Sequence, residues 1–155
     1  MNTEQENSFF DLGDKTALVC IDHPQYQKMI VSQMTDLSYK VHLGLFEEDV
    51  LLKLATYNYN VVVIYENFKR SSLIDNPILC EMVKRDDSLR REHFVILLSQ
   101  RLPTNDAMCA FAQSVDLIIN ISDIDNFKPV VRRGVAQHHD FYLPLQDSIK
   151  AVQAM

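Results

Sequence analysis

The sequence predicts an α/β protein of three layers, a five-stranded parallel sheet with helices on both faces. Five short apolar segments alternate with stretches whose apolar residues recur at helical spacing. Continuous apolar runs are typical of strands buried on both faces, and regular alternation of strands with helices is typical of a parallel sheet. Right-handed crossovers between five βα units favour the strand order 2-1-3-4-5.

Each predicted strand is a short apolar run that ends in polar residues. The second one alternates apolar and polar residues, which indicates a position nearer the edge of the sheet. The third one, an apolar run followed by Glu66 and Asn67, has the composition of a central strand. The strands are predicted at 16–21, 41–45, 59–67, 94–98 and 117–121.

The helices between these strands carry start signals of their own. Asp22-His23-Pro24 closes the first strand and opens the first helix, and the acidic run 47–49 suits the first turn of the second. Asn76-Pro77 is typical of an N-cap followed by proline at the first helical position. Thr104 is the predicted cap of the fourth helix, and Asp125 opens the last one.

The length of 155 residues fits one domain, predicted at 14–155 with a C-terminal helical segment, after an N-terminal tail at 1–13. The net charge of −6 argues against a partner made of nucleic acid or anionic lipid. The apolar runs are too short to span a membrane, and the polar N-terminus is no signal peptide, so the cytoplasm is the expected location.

The scarcity of glycine and the spacing of cysteine exclude several classes of site. With glycine only at Gly13, Gly44 and Gly134, neither a Walker loop nor a dinucleotide fingerprint can be written. The three cysteines lie far apart without a C-x-x-C pair, so no structural zinc is expected. We therefore predict no cofactor and no metal.

Polar residues follow four of the predicted strands and define the candidate site. In the strand order given above, the carboxyl ends of strands one, three, four and five converge at one edge of the sheet. The side chains expected there are Asp22, His23, Tyr65, Ser99 and Asn120.

This arrangement resembles the receiver domain of two-component response regulators, the CheY-like branch of the flavodoxin-like folds, over residues 14–142. In that family an acidic pair follows strand one, the phosphate-accepting aspartate strand three, Ser or Thr strand four and lysine strand five. The runs 88–91, 94–98 and 111–115 are also similar to receiver-like bacterial proteins without assigned activity. The resemblance implies a bacterial signalling protein rather than an enzyme.

The departures from this pattern predict a pseudo-receiver. Asp22 and Ser99 match, whereas His23 replaces an acid, Tyr65 stands in the acceptor's place and Asn120 replaces the lysine. One aspartate and a histidine are poor ligands for Mg²⁺, and a phenol forms no acyl phosphate. Because successive strand residues face opposite ways, Glu66 is expected to point away from the pocket.

The resemblance also indicates an interface on helix four, strand five and helix five, the face that receivers use for docking. The residues expected to contribute are Phe111, Ile124, Phe127 and Val131. We therefore expect a regulatory module that binds a signalling protein or a second copy of itself. Two alternatives stay open, an atypical receiver phosphorylated at another residue and a small-molecule sensor using the pocket around Asp22, Tyr65 and Ser99.

Overall fold

The computed structural model describes residues 14–84 and 93–139. Within them, five parallel strands form one sheet in the order β2-β1-β3-β4-β5, which confirms the predicted topology. The predicted tail 1–13, residues 85–92 and the C-terminal segment 140–155 lie outside the described residues. The strands are β1 Thr16–Cys20, β2 Lys40–Leu43, β3 Val61–Tyr65, β4 Phe94–Ser99 and β5 Leu117–Asn120.

Within residues 14–84 and 93–139, five helices connect and cover these strands. Short 3-10 segments, Phe68–Arg70 and Ile121–Asn126, follow β3 and β5. Among the described residues, every helix is too short or too polar to cross a membrane. The helices are α1 Pro24–Asp36, α2 Glu47–Thr56, α3 Pro77–Lys84, α4 Ala107–Gln113 and α5 at 127–139.

The sheet separates two hydrophobic cores, because neighbouring side chains on a strand point to opposite faces. On β3, Val61, Val63 and Tyr65 pack with α1 and α5. Val62 and Ile64 pack on the other face with α2, α3 and α4. Full burial of one such aliphatic side chain contributes about 1.5–3 kcal/mol, so both faces hold the central strands in place.

Helix α5 and the 3-10 segment before it bury most of their apolar residues, which corrects the predicted interface. Ile124 is 7% exposed, while Phe127 and Val131 are fully buried in the core shared with α1. These three residues therefore cannot contribute to an interface in this conformation. Phe111 on α4, in contrast, is 83% exposed.

The start of α3 is capped as predicted, and that of α4 is not. Asn76 Oδ1 accepts hydrogen bonds from the N–H groups of Ile78 and Leu79, directly around Pro77. At α4 the capping side chain is that of Asp106, whose Oδ1 accepts from Cys109 N at 2.9 Å. The prediction for Thr104 was wrong, because its hydroxyl accepts from Asn120 N at the end of β5.

The register of the central strands decides which side chains meet at the carboxyl edge. Tyr65 pairs with Leu98 across β3 and β4, so the following residues, Glu66 and Ser99, lie at the same level. Residues at the same level on neighbouring strands share a face of the sheet. Glu66 and Ser99 are therefore placed side by side, on the face opposite to Tyr65.

Candidate functional site

The centre of the carboxyl edge is the side chain of Glu66, which is only 2% exposed. Its Oε1 accepts a hydrogen bond from the Ser99 hydroxyl at 3.0 Å, and its Oε2 accepts one from Gln100 N at 3.0 Å. Glu66 therefore points away from Tyr65, as expected, and the expectation that Ser99 shares the pocket of Tyr65 was wrong. The alternation along β3 was correct, but Ser99 lies on the face of Glu66 rather than on that of Tyr65.

Ser99 ties this carboxyl group to the turn that follows β4. Its side chain is fully buried, and its oxygen accepts from Arg101 N at 3.2 Å and from Leu102 N at 3.0 Å. A hydroxyl has one hydrogen to donate, and here that hydrogen goes to Glu66. Donor and both acceptor positions are thus in use, which fixes the first residues of the β4–α4 connection.

Tyr65 lies on the opposite face and contacts the same connection. Its phenol oxygen accepts from Gln100 Nε2 at 2.7 Å, and its ring meets the edges of His23 and Tyr26 at centroid distances of 6.4 and 5.8 Å. Burial raises the pKa of the Tyr65 phenol, although the hydrogen bond from Gln100 lowers it. Gln100 therefore bridges the two faces, with its main chain on Glu66 and its side chain on Tyr65.

Asp22 and His23, the polar residues that follow β1, stabilise the turn after β3 and the start of α1. Asp22 Oδ2 accepts from Lys69 N at 2.9 Å, and His23 Nδ1 accepts from Tyr26 N at 3.4 Å as the cap of α1. Lys69 and Arg70 have φ values of 53° and 60°, left-handed conformations that cost non-glycine residues about 1–3 kcal/mol each. Asp22 thus anchors a strained turn beside the site.

Asn120 contacts the β4–α4 connection. Its Nδ2 donates to Leu102 O at 2.9 Å, and its Oδ1 accepts from Ser122 N at 3.0 Å. Lys128, the nearest lysine after β5, lies on α5 and forms an ion pair with Asp36 at 3.2 Å. The amide of Asn120 therefore links β5 to the same connection that Glu66 and Ser99 hold.

The predicted site left out three members of this network: Glu66, which was considered and set aside, Gln100 and Asn76. Asn76 was predicted as a helix cap only, yet its fully buried amide also donates to the carbonyl oxygens of Tyr65 and Glu66. One sequence signal could have found Glu66. The apolar runs 61–65 and 94–98 are equally long, and aligning their ends places Glu66 opposite Ser99.

The predicted pocket residues have separate partners in the fold. Asp22 binds Lys69, Tyr65 binds Gln100, and Ser99 binds Glu66. Across residues 14–84 and 93–139, no group of three His, Cys, Asp or Glu side chains is arranged to hold a metal ion. The sensor hypothesis gains no supporting contact from this arrangement.

Comparison with known proteins identifies the fold. No protein-family model and no curated protein matches the chain. The receiver domain of Francisella response regulator 1452 is similar in structure, with a TM-score of 0.62 at 17% identity, over 80% of this chain and 98% of that domain. NtrX from Brucella abortus, solved in complex with ADP, gives a TM-score of 0.63 at 13% identity, over 90% of this chain and 29% of NtrX. The chain has the receiver fold.

Proposed function

We propose that this receiver-fold chain is a non-catalytic regulatory module of bacterial signal transduction that works without aspartyl phosphorylation. On this proposal it acts in the cytoplasm by binding a protein, either a signalling partner or a second copy of itself. The observation that carries the proposal is the buried carboxyl group of Glu66, which already holds Ser99 and Gln100 N. These contacts form without a phosphoryl group on Glu66.

The environment of Glu66 is unfavourable for phosphoryl transfer. An attacking carboxylate oxygen must reach the phosphorus in line, and Glu66 is 2% exposed with a donor on each oxygen. Attack would break one or both hydrogen bonds in a buried site, where an unpaired polar group costs about 1–3 kcal/mol. The amide of Asn120 also supplies no positive charge for a transferring phosphoryl group.

The route from Glu66 to a partner surface runs through the β4–α4 connection. Glu66 and Ser99 hold residues 100–102, Asn120 holds Leu102 O, and Asn105 N donates to Ile118 O on β5. Helix α4 begins directly after this connection and exposes Met108 and Phe111 by 78% and 83%. Large exposed apolar groups on one short helix are typical of a protein interface.

The proposal is tested by intact-mass measurement after incubation with acetyl phosphate and Mg²⁺. We expect no species heavier by the mass of a phosphoryl group, about 80 Da, and an unchanged oligomeric state. The matched control is Ser99→Ala, which frees Glu66 Oε1 and should likewise stay unmodified. A stable adduct that disappears in Glu66→Gln would refute the proposal.

One observation favours the second candidate, an atypical receiver phosphorylated at a non-standard residue. The sequence placed no acceptor carboxylate in the cleft, whereas the fold places Glu66 beside Ser99. The same incubation decides between the two candidates, since only this one predicts an adduct. Peptide mapping of the adduct would then locate it at Glu66 or at Asp22.

A further inference from the structure

A groove lies between the end of α1 and helix α5, at the amino ends of β1 and β2. It encloses about 510 Å³. Its lining includes Tyr39 and Val131, which are buried, and Leu37 and Val135, which are half-buried. Lys15 Nζ lies 5.1 Å from the centroid of the Tyr39 ring and donates to Leu37 O at 3.3 Å. The groove thus combines apolar surface with a cation held at its side.

Exposed basic side chains surround this apolar surface. Lys15, Arg132 and His139 all belong to the lining and are all exposed, and His139 is positive when it is protonated. Asp36 is the only acid among the described lining residues, and its carboxylate forms an ion pair with Lys128 at 3.2 Å. The groove therefore favours a ligand that combines negative charge with large apolar side chains.

The segment that precedes the described chain has this composition. Residues 1–13 carry three acids and no lysine or arginine, and three large apolar residues lie close together near the end of the segment. By contrast, the segment 140–155, which follows α5, carries two acids and one lysine. The acids of residues 1–13 are Glu4, Glu6 and Asp11, and the apolar residues are Phe9, Phe10 and Leu12.

The connection to the domain places residues 1–13 within reach of the groove. Phe10 is five residues from Lys15, so the chain between them spans at most about 17 Å. Because Lys15 itself lines the groove, the tether is short, and short tethers give effective concentrations on the order of millimolar. A second copy of the chain would bring its own net charge of −6, which opposes its approach. Charge and distance thus favour the chain's own segment as the occupant.

We propose that residues 1–13 bind in this groove of their own chain. Phe9 and Phe10 lie against the apolar lining, and the acids of the segment face Lys15 and Arg132. The chain thereby covers the groove and closes it to other proteins. The inference goes beyond the proposed function and does not depend on it, because the groove lies at the end of the sheet opposite to the phosphorylation test.

The direct test is NMR of the full chain with isotope-labelled methyl groups. We expect nuclear Overhauser effects from the aromatic protons of Phe9 and Phe10 to the methyl groups of Leu37, Val131 and Val135. The double variant Phe9→Ser with Phe10→Ser should lose these effects and shift the same methyl signals. A mixture of labelled and unlabelled chains identifies contacts that form between two copies.

Cleavage by chymotrypsin after Phe10 measures the same contact at low protein concentration. The bond should be cut about tenfold more slowly in the full chain than in a free peptide of residues 1–16, because cleavage requires release from the groove. Arg132→Gln should speed up cleavage by about two- to threefold, the size expected for loss of one exposed ion pair. The matched control is Arg133→Gln, which removes the same charge from the next residue of α5, also exposed but outside the described lining. It should leave the rate nearly unchanged.

Four results would overturn the inference. They are the absence of contacts from Phe9 and Phe10 to the groove, contacts that come from residues 140–155 instead, contacts that form only between two copies, and equal acceleration of cleavage by Arg132→Gln and Arg133→Gln.

Discussion

Two buried hydroxyl groups connect neighbouring strands, one at the amino ends of the strands and one at their carboxyl ends. They form hydrogen bonds with different kinds of partner. At the amino edge, Thr16 is 4% exposed and exchanges hydrogen bonds with the main chain of Asn58 and with Asn60. At the carboxyl edge, Ser99 is fully buried and donates to the carboxyl group of Glu66. Each contact connects β3 to a neighbouring strand, once through a neutral amide and once through an acid.

On the proposed function, the difference separates a structural role from a regulatory one. Burying a carboxylate costs several kcal/mol of desolvation, which its hydrogen bonds only partly offset. The Thr16–Asn60 contact joins neighbouring strands without that cost. The acid at the carboxyl edge is therefore best explained by what it holds, namely the connection that leads into α4.

Ser99→Ala should have the largest effect on stability. It leaves Glu66 Oε1 and two main-chain N–H groups without their partner, so the free energy of unfolding should fall by about 2–4 kcal/mol in urea titration. The double variant Glu66→Met with Ser99→Ala should recover part of this loss, because no buried acid is then left unsatisfied. A double variant less stable than Ser99→Ala alone would contradict the assigned cost of the acid.

Thr16→Val is the matched change at the amino edge and should cost less. It removes the hydroxyl at nearly constant volume and leaves neutral partners, of which Asn60 is exposed to water. We expect a loss of about 1–2 kcal/mol in the same titration. If Thr16→Val costs as much as Ser99→Ala, the contrast between the two edges does not hold.

Tyr65→Phe should have the smallest effect at neutral pH, about 0.5–1.5 kcal/mol for the lost contact with Gln100. Burial raises the pKa of the Tyr65 phenol in the folded state, so its stabilising contribution is present below the unfolded value of about 10 and is lost as pH rises above it. Thermal unfolding as a function of pH should therefore show a smaller alkaline loss in Tyr65→Phe than in the wild type. An identical alkaline profile would argue against a buried, hydrogen-bonded phenol.

Most of the fold could be predicted because the signals are local. The apolar runs define the strands, and Asn76-Pro77 marks the start of α3 correctly. The contact of Glu66 with Ser99 could not be predicted in this way. Alternation shows that Tyr65 and Glu66 face opposite ways, but the face that Ser99 shares depends on the register of β3 against β4.

The other errors have the same origin in tertiary contacts. Thr104 has the chemistry of a cap, but Asn120 N and Asp123 engage its hydroxyl and Asp106 caps α4 instead. The spacing of Phe127 and Val131 fits an exposed face of a helix as well as a buried one. Their packing against α1 places them in the core. Phe111 as an interface residue stays a prediction.

Hydrogen exchange at the Gln100 amide measures whether Glu66 holds the β4–α4 connection without phosphorylation, because this N–H donates to Glu66 Oε2. We expect slow exchange in the untreated protein, about 100-fold faster exchange in Glu66→Ala, and no change after acetyl phosphate with Mg²⁺. Exchange at the rate of a solvent-exposed amide in the untreated protein, or protection that arises only after treatment with acetyl phosphate, would contradict this expectation.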